Sequence, residues 1–193
     1  MNTTEDPERA EPMTEELIVK HCAPTLAGMK TGNIISYPYK DDEELARDMS
    51  ELNSALNPKG IYVLPLKRMH TRTLVYIYRP GKLKNDIKNE QAQTILRSLG
   101  YSDITSEGCI RELILRLRMS DTFPHEIGLF IGYPPEDVAG FINKKPCLFT
   151  GKWKVYSNAE KARKTFRKYD KCQRIYSELW DQGRPFEKLI VAV

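Results

Sequence analysis

Apolar residues recur along the chain with two spacings, one of about 3.6 residues that is typical of helices and one of two residues that is typical of strands. The helical spacing predicts seven helices, over residues 14–22, 41–56, 82–89, 90–98, 106–119, 136–142 and 158–181. Alternating or continuous apolar runs predict six strands, over residues 33–37, 61–66, 73–78, 127–131, 147–149 and 153–156.

Capping residues and prolines indicate where several of these elements begin and end. Asp41 or Asp42 can cap the second helix, and Ser157 with Glu160 forms a capping-box pattern at the start of the last one. Pro24 is expected to end the first helix, because proline has no amide proton for a helix interior.

The order of the elements predicts the fold class. Strands 61–66 and 73–78 are joined by a short basic linker, so they are expected to form an antiparallel hairpin. Helices and strands otherwise do not alternate strictly. We therefore predict an α/β fold of the α+β-like kind, in which a single mixed β-sheet contains this hairpin, is flanked by helices and is accompanied by a long C-terminal helix.

Length and composition fit one folded domain. The 193 residues are 40% hydrophobic and 29% charged, which is ordinary for a globular protein. Residues 1–13 are acidic and polar, so we expect a disordered lead-in there and a single globular domain over 14–193. The sequence has neither a transmembrane run nor a signal-peptide pattern, so we expect a cytoplasmic location and no membrane partner.

Positive charge is concentrated in the last third of the chain. The net charge is +4, and bases far outnumber acids between residues 144 and 174. One hypothesis is therefore an interaction module, in which the basic C-terminal helix binds nucleic acid or an acidic protein. The alternative is a solvated helix face, because the tyrosines of that helix fall on its buried stripe and no nucleic-acid-binding motif occurs.

Polar residues of catalytic type adjoin two turns rich in glycine and proline. In the segment 123–135, His125 could act as a general acid or base and Glu126 could orient a substrate. Tyr133, in the same segment, is a candidate ligand contact. The alternative is that His125 and Glu126 make only local structural hydrogen bonds.

The second turn lies in the segment 21–33. Lys30 and Thr31 offer a cation and a hydroxyl that could hold an anionic group, although they do not have the P-loop order. His21 and Cys22 are further candidate ligand contacts. Cys22 is better explained as a small buried apolar residue, because a helix C-terminus does not activate a thiolate.

A thiol- or metal-dependent redox role is a further hypothesis. The four cysteines are Cys22, Cys109, Cys147 and Cys172, and none of them forms a CxxC pair. With the histidines they are suitable ligand types, but no spacing is diagnostic, so we assign no metal site from the sequence. The sequence specifies no cofactor.

Several long runs resemble a known family. These runs lie at residues 21–28, 123–130, 132–138, 153–156 and 169–172. They resemble the family catalogued as domain of unknown function 3793. The resemblance extends over about 14–190 and implies one domain, a bacterial cytoplasm and an anaerobic setting, but no activity, cofactor or catalytic residue.

Our leading hypothesis from the sequence is a small-molecule or cofactor-binding protein, and an enzyme is one form that it could take. Its site would be a cleft formed by the turns of 21–33 and 123–135, because both turns adjoin predicted strand ends. In this hypothesis His125 transfers a proton, Glu126 orients the ligand, and Lys30 with Thr31 contacts an anionic group.

Overall fold

Helices surround a small sheet in the part of the chain that the computed structural model describes, residues 15–120 and 122–192. The helices are α1 (Glu15–Leu26), α2 (Asp42–Leu56), α3 (Pro80–Ile87), α4 (Glu90–Ser98), α5 (Ser106–Met119), α6 (Ile127–Phe130), α7 (Pro135–Ile142) and α8 (Ala159–Asp181). The strands are β1 (Gly32–Pro38), β2 (Tyr62–Arg68), β3 (Arg72–Tyr78), β4 (Phe149–Thr150) and β5 (Lys154–Val155). The acidic lead-in predicted over residues 1–13 lies outside the described residues.

The predicted fold class is confirmed, with a three-stranded sheet, helices around it and a long helix near the C-terminus. The strand order is β1-β3-β2, and β2 and β3 form the predicted hairpin, in which Val63 faces Ile77. Both strand pairs are antiparallel, so this sheet is antiparallel rather than mixed. The short strands β4 and β5 form a separate antiparallel pair.

The alternation of side chains along β3 places apolar residues on both faces of the sheet. Val75 and Ile77 face one core, which α1, α2 and the second half of α8 complete. Tyr76 faces a second core, which α3 to α7 complete. The sheet therefore separates two groups of helices, and the candidate site lies where loops and helices from both groups meet.

The outer edge of β2 is irregular. The pairing with β3 shifts register between Pro65 and Lys67, which is a β-bulge. Asn53 of α2 binds both backbone groups of Val63: its side-chain oxygen accepts from the Val63 amide at 2.9 Å, and its side-chain nitrogen donates to the Val63 carbonyl at 2.9 Å. The side chain of Asn53 thus takes the place of a neighbouring strand.

The prediction of a buried strand over 127–131 is wrong, because Ile127–Phe130 forms helix α6. A short apolar run does not distinguish a buried helical turn from a buried strand. Gly128 lets α6 pack closely against α7, since a β-carbon there would lie 2.9 Å from Val138 Cγ2.

Two predicted helix ends are also corrected. Pro24 does not end the first helix, because it lies in the last turn of α1, which continues to Leu26. The last helix is capped by Asn158, whose side chain accepts from the Lys161 amide at 2.9 Å, and not by Ser157. The predicted cap Asp41 does accept from the Glu44 amide at the start of α2.

No helix in the described ranges has both the length and the apolar character needed to cross a membrane.

Candidate functional site

A polar cleft of about 730 Å³ lies between the turn that follows α1 and the turn that joins α6 to α7. The first turn contributes Gly28 and Met29, and the second contributes Gly132 and Tyr133. Helix α3 and the first turns of α8 form the remaining walls. The two turns singled out from the sequence therefore line one cavity.

The buried Arg79 fixes the position of the first turn. Its guanidinium donates to the carbonyl oxygens of Thr25 at 2.7 Å and Leu26 at 2.8 Å, in the last turn of α1. Its backbone amide donates to the carbonyl of Thr31 at 2.9 Å. Because both ends of the turn are held by one residue, Lys30 has a defined place beside the cleft.

A recess of about 210 Å³ adjoins the cleft and is lined by Lys30, Thr31 and Asp86, among others. The Thr31 hydroxyl donates to Asp86 Oδ2, and burial raises the pKa of the Asp86 carboxyl while the bond from Thr31 and the charge of Lys82 oppose that rise. The recess thus contains a carboxyl group that is held by a neighbouring hydroxyl.

Gly132 is required where the two turns touch. Its φ of +81° belongs to the left-handed region, and a β-carbon there would lie 2.8 Å from Thr31 Oγ1. A larger residue would therefore push the turns apart at the mouth of the recess.

Lys30 is a partly buried cation with an aromatic neighbour. Its Nζ lies 5.6 Å from the centroid of the Tyr133 ring, within the range of a cation–π contact. Burial lowers the pKa of Lys30 from 10.5 to about 8; the nearby Cys22 opposes this change and the charge of Lys152 adds to it. Among the described residues, no carboxylate forms an ion pair with Lys30.

Three more lysines line the cleft, Lys82 on α3 and Lys161 and Lys168 on α8. The N-terminus of α8 also borders it, and free backbone amides there carry partial positive charge. The cleft has acidic lining residues as well, but one of them, Asp137, is fully engaged by other groups.

Asp137 organises the aromatic wall of the cleft and was not a site residue in the sequence analysis. One carboxylate oxygen accepts from the backbone amides of Tyr156 at 2.8 Å and Ser157 at 3.0 Å, and the other accepts from Trp153 Nε1 at 2.8 Å. Trp153 is thereby held against Tyr133, with ring centroids 4.8 Å apart. Only its position in the first turn of a helix was evident from the sequence, and that position is shared by many acidic residues.

Comparison with protein families matches residues 18–190 to the family described as "Protein of unknown function (DUF3793)". The chain belongs to this family. No curated protein and no solved structure matches it. The segments by which the sequence resembles this family border the cleft through Gly28, Tyr133, Trp153 and Tyr169.

The structure of this DUF3793 chain places His125 and Glu126 outside the cleft. His125 is exposed and packs edge-on against the Phe141 ring, with centroids 4.8 Å apart, beside a separate apolar pocket of about 390 Å³. Glu126 is buried at the start of α6, where it accepts from the Tyr101 hydroxyl at 3.1 Å and lies 3.8 Å from Arg116 Nη1. The two neighbours therefore have different surroundings.

His21 and Cys22 do not line the cleft either. The His21 side chain is exposed on α1, and its backbone carbonyl accepts from the Asn33 side chain at 3.0 Å. Cys22 is fully buried in the first core, and burial raises the pKa of its thiol to about 12. Of the seven candidate residues, the structure brings Lys30, Thr31 and Tyr133 together.

The part of this DUF3793 chain that the structure describes has no group of three His, Cys, Asp or Glu side chains that could hold a metal ion. Cys22, Cys109 and Cys172 are buried, and burial raises the pKa of each thiol. Cys147 is exposed. These placements give no support to the thiol- or metal-dependent redox hypothesis.

Proposed function

We propose that this protein binds an anionic small molecule in the cleft between the two turns. The observation that carries the proposal is that Lys82, Lys161 and Lys168 line the cleft and Lys30 lines the recess that adjoins it. Most surface lysines of a protein are balanced by nearby acids or spread over a face, whereas these four come from three separate elements.

The acidic residues of the cleft leave most of this positive charge available. Asp137 is engaged by the backbone amides of the β5–α8 junction and by the Trp153 indole. Asp86 accepts from the Thr31 hydroxyl, and burial raises the pKa of its carboxyl. Glu136 is the remaining acidic lining residue and lies at the start of α7, where the helix dipole offsets its charge.

The shape of the cleft suggests a ligand with a planar part. Tyr133 and Trp153 form a continuous aromatic wall, and the volume of about 730 Å³ is within the range of small-molecule sites. A planar group could stack on this wall while its anionic substituent reaches Lys161 and Lys168 on α8.

Native mass spectrometry and an absorption spectrum, on protein purified without oxygen, would first test for a retained ligand. Binding of inorganic phosphate, pyrophosphate and adenosine monophosphate would then be measured by calorimetry. We expect binding of at least one of these anions, with a preference for the one that has a planar ring. An apo mass combined with no binding of any of the three would overturn the proposal.

Lys168→Ala should weaken that binding by about tenfold, the effect of losing one charged hydrogen bond of about 1.5 kcal/mol. Lys171→Ala is the matched control, because Lys171 is exposed on the same helix but does not line the cleft. An equal effect of both substitutions would indicate general attraction to the basic helix instead of a site.

The alternative of an interaction module on the outer face of α8 has weaker support. Several bases of this region are paired locally, with Lys164 2.6 Å from Glu160 and Lys152 2.6 Å from Asp170. The calorimetric titrations distinguish the two functions, because binding to a polyanion would fall much more steeply with salt than binding of one small anion.

A further inference from the structure

We propose that Lys30 is a nucleophile that captures a carbonyl group of the bound anion as an imine. The inference rests on the proposed function, since the other lysines of the cleft would hold the anionic part of the same ligand. It assigns that ligand to a chemical class, the aldehydes and ketones that also carry a phosphate or carboxylate group.

The position of Lys30 differs from that of the surface lysines. Lys20, Lys152 and Lys164 form ion pairs with carboxylates at 2.5 to 2.6 Å. Lys30 instead lies beside the Tyr133 ring and lines the recess next to the cleft. A carbonyl group placed in this recess would have an amine available to it that is not bound to an acid.

The surroundings of Lys30 also favour the neutral amine that an attack requires. With a pKa of about 8, the amine is unprotonated in about half of the molecules at pH 8, whereas an ordinary lysine is almost entirely charged at that pH. Charged and titratable groups face Lys30 from every neighbouring element. The helices contribute Cys22 (α1), Lys82 and Asp86 (α3) and Tyr169 (α8), and the loops contribute Tyr133 and Lys152.

The reaction needs no oxidant, reductant or second substrate. The lone pair of Lys30 Nζ forms a bond to the carbonyl carbon, the C=O π bond breaks, and its oxygen takes up a proton to give a carbinolamine. The nitrogen then loses one proton. The hydroxyl of the carbinolamine takes up a second proton and leaves as water, while the nitrogen lone pair forms the C=N bond. Asp86, which lines the same recess, is the group that we assign to exchange these protons with the reacting atoms.

The test uses pyridoxal 5′-phosphate, which joins an aldehyde, a planar ring and a phosphate. The full-length protein is incubated with this probe at pH 8, reduced with borohydride and mapped by peptide mass spectrometry. We expect the modified fraction of Lys30 to exceed that of exposed Lys171 by about tenfold or more, given its larger share of neutral amine. Equal modification of Lys30 and Lys171 would overturn the inference.

Two variants check the assignment. Lys30→Arg should abolish the preferential adduct while the variant keeps the melting temperature of the unaltered protein. Lys171→Arg should leave the adduct at Lys30 unchanged. If Lys30→Arg does not fold, the pH dependence of the rate at which Lys30 is modified in the unaltered protein still tests the inference. A rate that rises to a plateau above pH 8 supports a perturbed amine, and a rate that keeps rising to pH 10 contradicts it.

A second pair of probes separates this inference from the proposed function. Pyridoxine 5′-phosphate has an alcohol in place of the aldehyde and reports non-covalent binding alone. Binding of the alcohol without modification of Lys30 would overturn the inference and leave the proposed function intact. Selective methylation of Lys30 by formaldehyde and cyanoborohydride, without any binding of the alcohol, would support the nucleophile and overturn the anion site.

Discussion

Individual residues determine how the two turns meet, and Gly132 is the clearest example. Gly132→Ala should lower the free energy of unfolding by about 2 kcal/mol or more, because the residue combines a left-handed backbone with the close approach of Thr31. Urea denaturation followed by circular dichroism measures this change.

Gly183→Ala is the matched control for that substitution. Gly183 has a similar φ of +77°, but a β-carbon there would meet no atom within 4 Å. It should therefore show only the backbone strain, about 1 kcal/mol. Equal losses at both positions would mean that the contact between Gly132 and Thr31 contributes nothing to stability.

Lys30 makes stability depend on pH. Its pKa is lowered from 10.5 to about 8, so between these values the unfolded chain binds more protons than the folded one, and stability rises with pH. Lys30→Met should therefore be more stable than the unaltered protein at pH 7, by up to about 3 kcal/mol. The difference should shrink as the pH approaches 10.5.

Urea unfolding at a series of pH values measures this difference, with Lys171→Met as the control for a lysine in solvent. A gap between the Lys30→Met and unaltered proteins that stays constant from pH 7 to pH 10 would contradict the lowered pKa. The experiment also reports on the anion site, because a bound anion would stabilise the ammonium form and reduce the gap.

At the scale of elements, the junction between β5 and α8 depends on Asp137. Asp137→Asn replaces one acceptor oxygen by a donor, so at least one of the bonds from Trp153, Tyr156 and Ser157 is lost. We expect a loss of about 2 kcal/mol in unfolding free energy and a changed tryptophan fluorescence. Glu136→Gln, one residue earlier, should have little effect on either measurement.

The elements themselves show what sequence patterns can and cannot specify. Helix α2 was predicted closely because its periodic stripe and its Asp41 cap are local signals. The run 127–131 was misassigned because its identity depends on the packing of α6 against α7, which periodicity does not record. Ser157 was expected to cap α8, but it bonds to Asp137, twenty residues away along the chain.

The same distinction applies to the candidate site. Lys30, Thr31 and Tyr133 were chosen because they lie in turns rich in glycine and proline, and they do line neighbouring parts of one cavity. Asp86 and Asp137 were missed because their importance comes from partners on other elements. Adjacent residues in a promising motif, such as His125 and Glu126, can point into different surroundings.

At the scale of the whole molecule, Arg79 joins distant parts of the chain. Besides the end of α1, its guanidinium donates to the carbonyls of Lys59 at 3.2 Å and Val191 at 2.6 Å. Arg79→Met should lower the free energy of unfolding by about 3 kcal/mol or more, because four carbonyls would each lose a charged donor. Such a donor to four carbonyls was not predictable from sequence.

Urea denaturation measures the effect, and Arg97→Met is the control, since Arg97 is exposed on α4. The control should change stability by no more than about 0.5 kcal/mol. Comparable losses of unfolding free energy in both variants would show that the buried guanidinium of Arg79 stabilises the protein no more than an exposed one. Binding of the test anions should also weaken in Arg79→Met, because the turn that carries Lys30 would be less well held.

The irregular edge of β2 has a consequence for the behaviour of many molecules together. An open strand edge can recruit a strand from another copy, which is a common first step of aggregation. Here Pro65 has no amide to offer, the bulge interrupts the ladder, and Asn53 already occupies both backbone groups of Val63. A strand from another copy therefore cannot pair with β2 along this edge. This favours a protein that stays dispersed at high concentration.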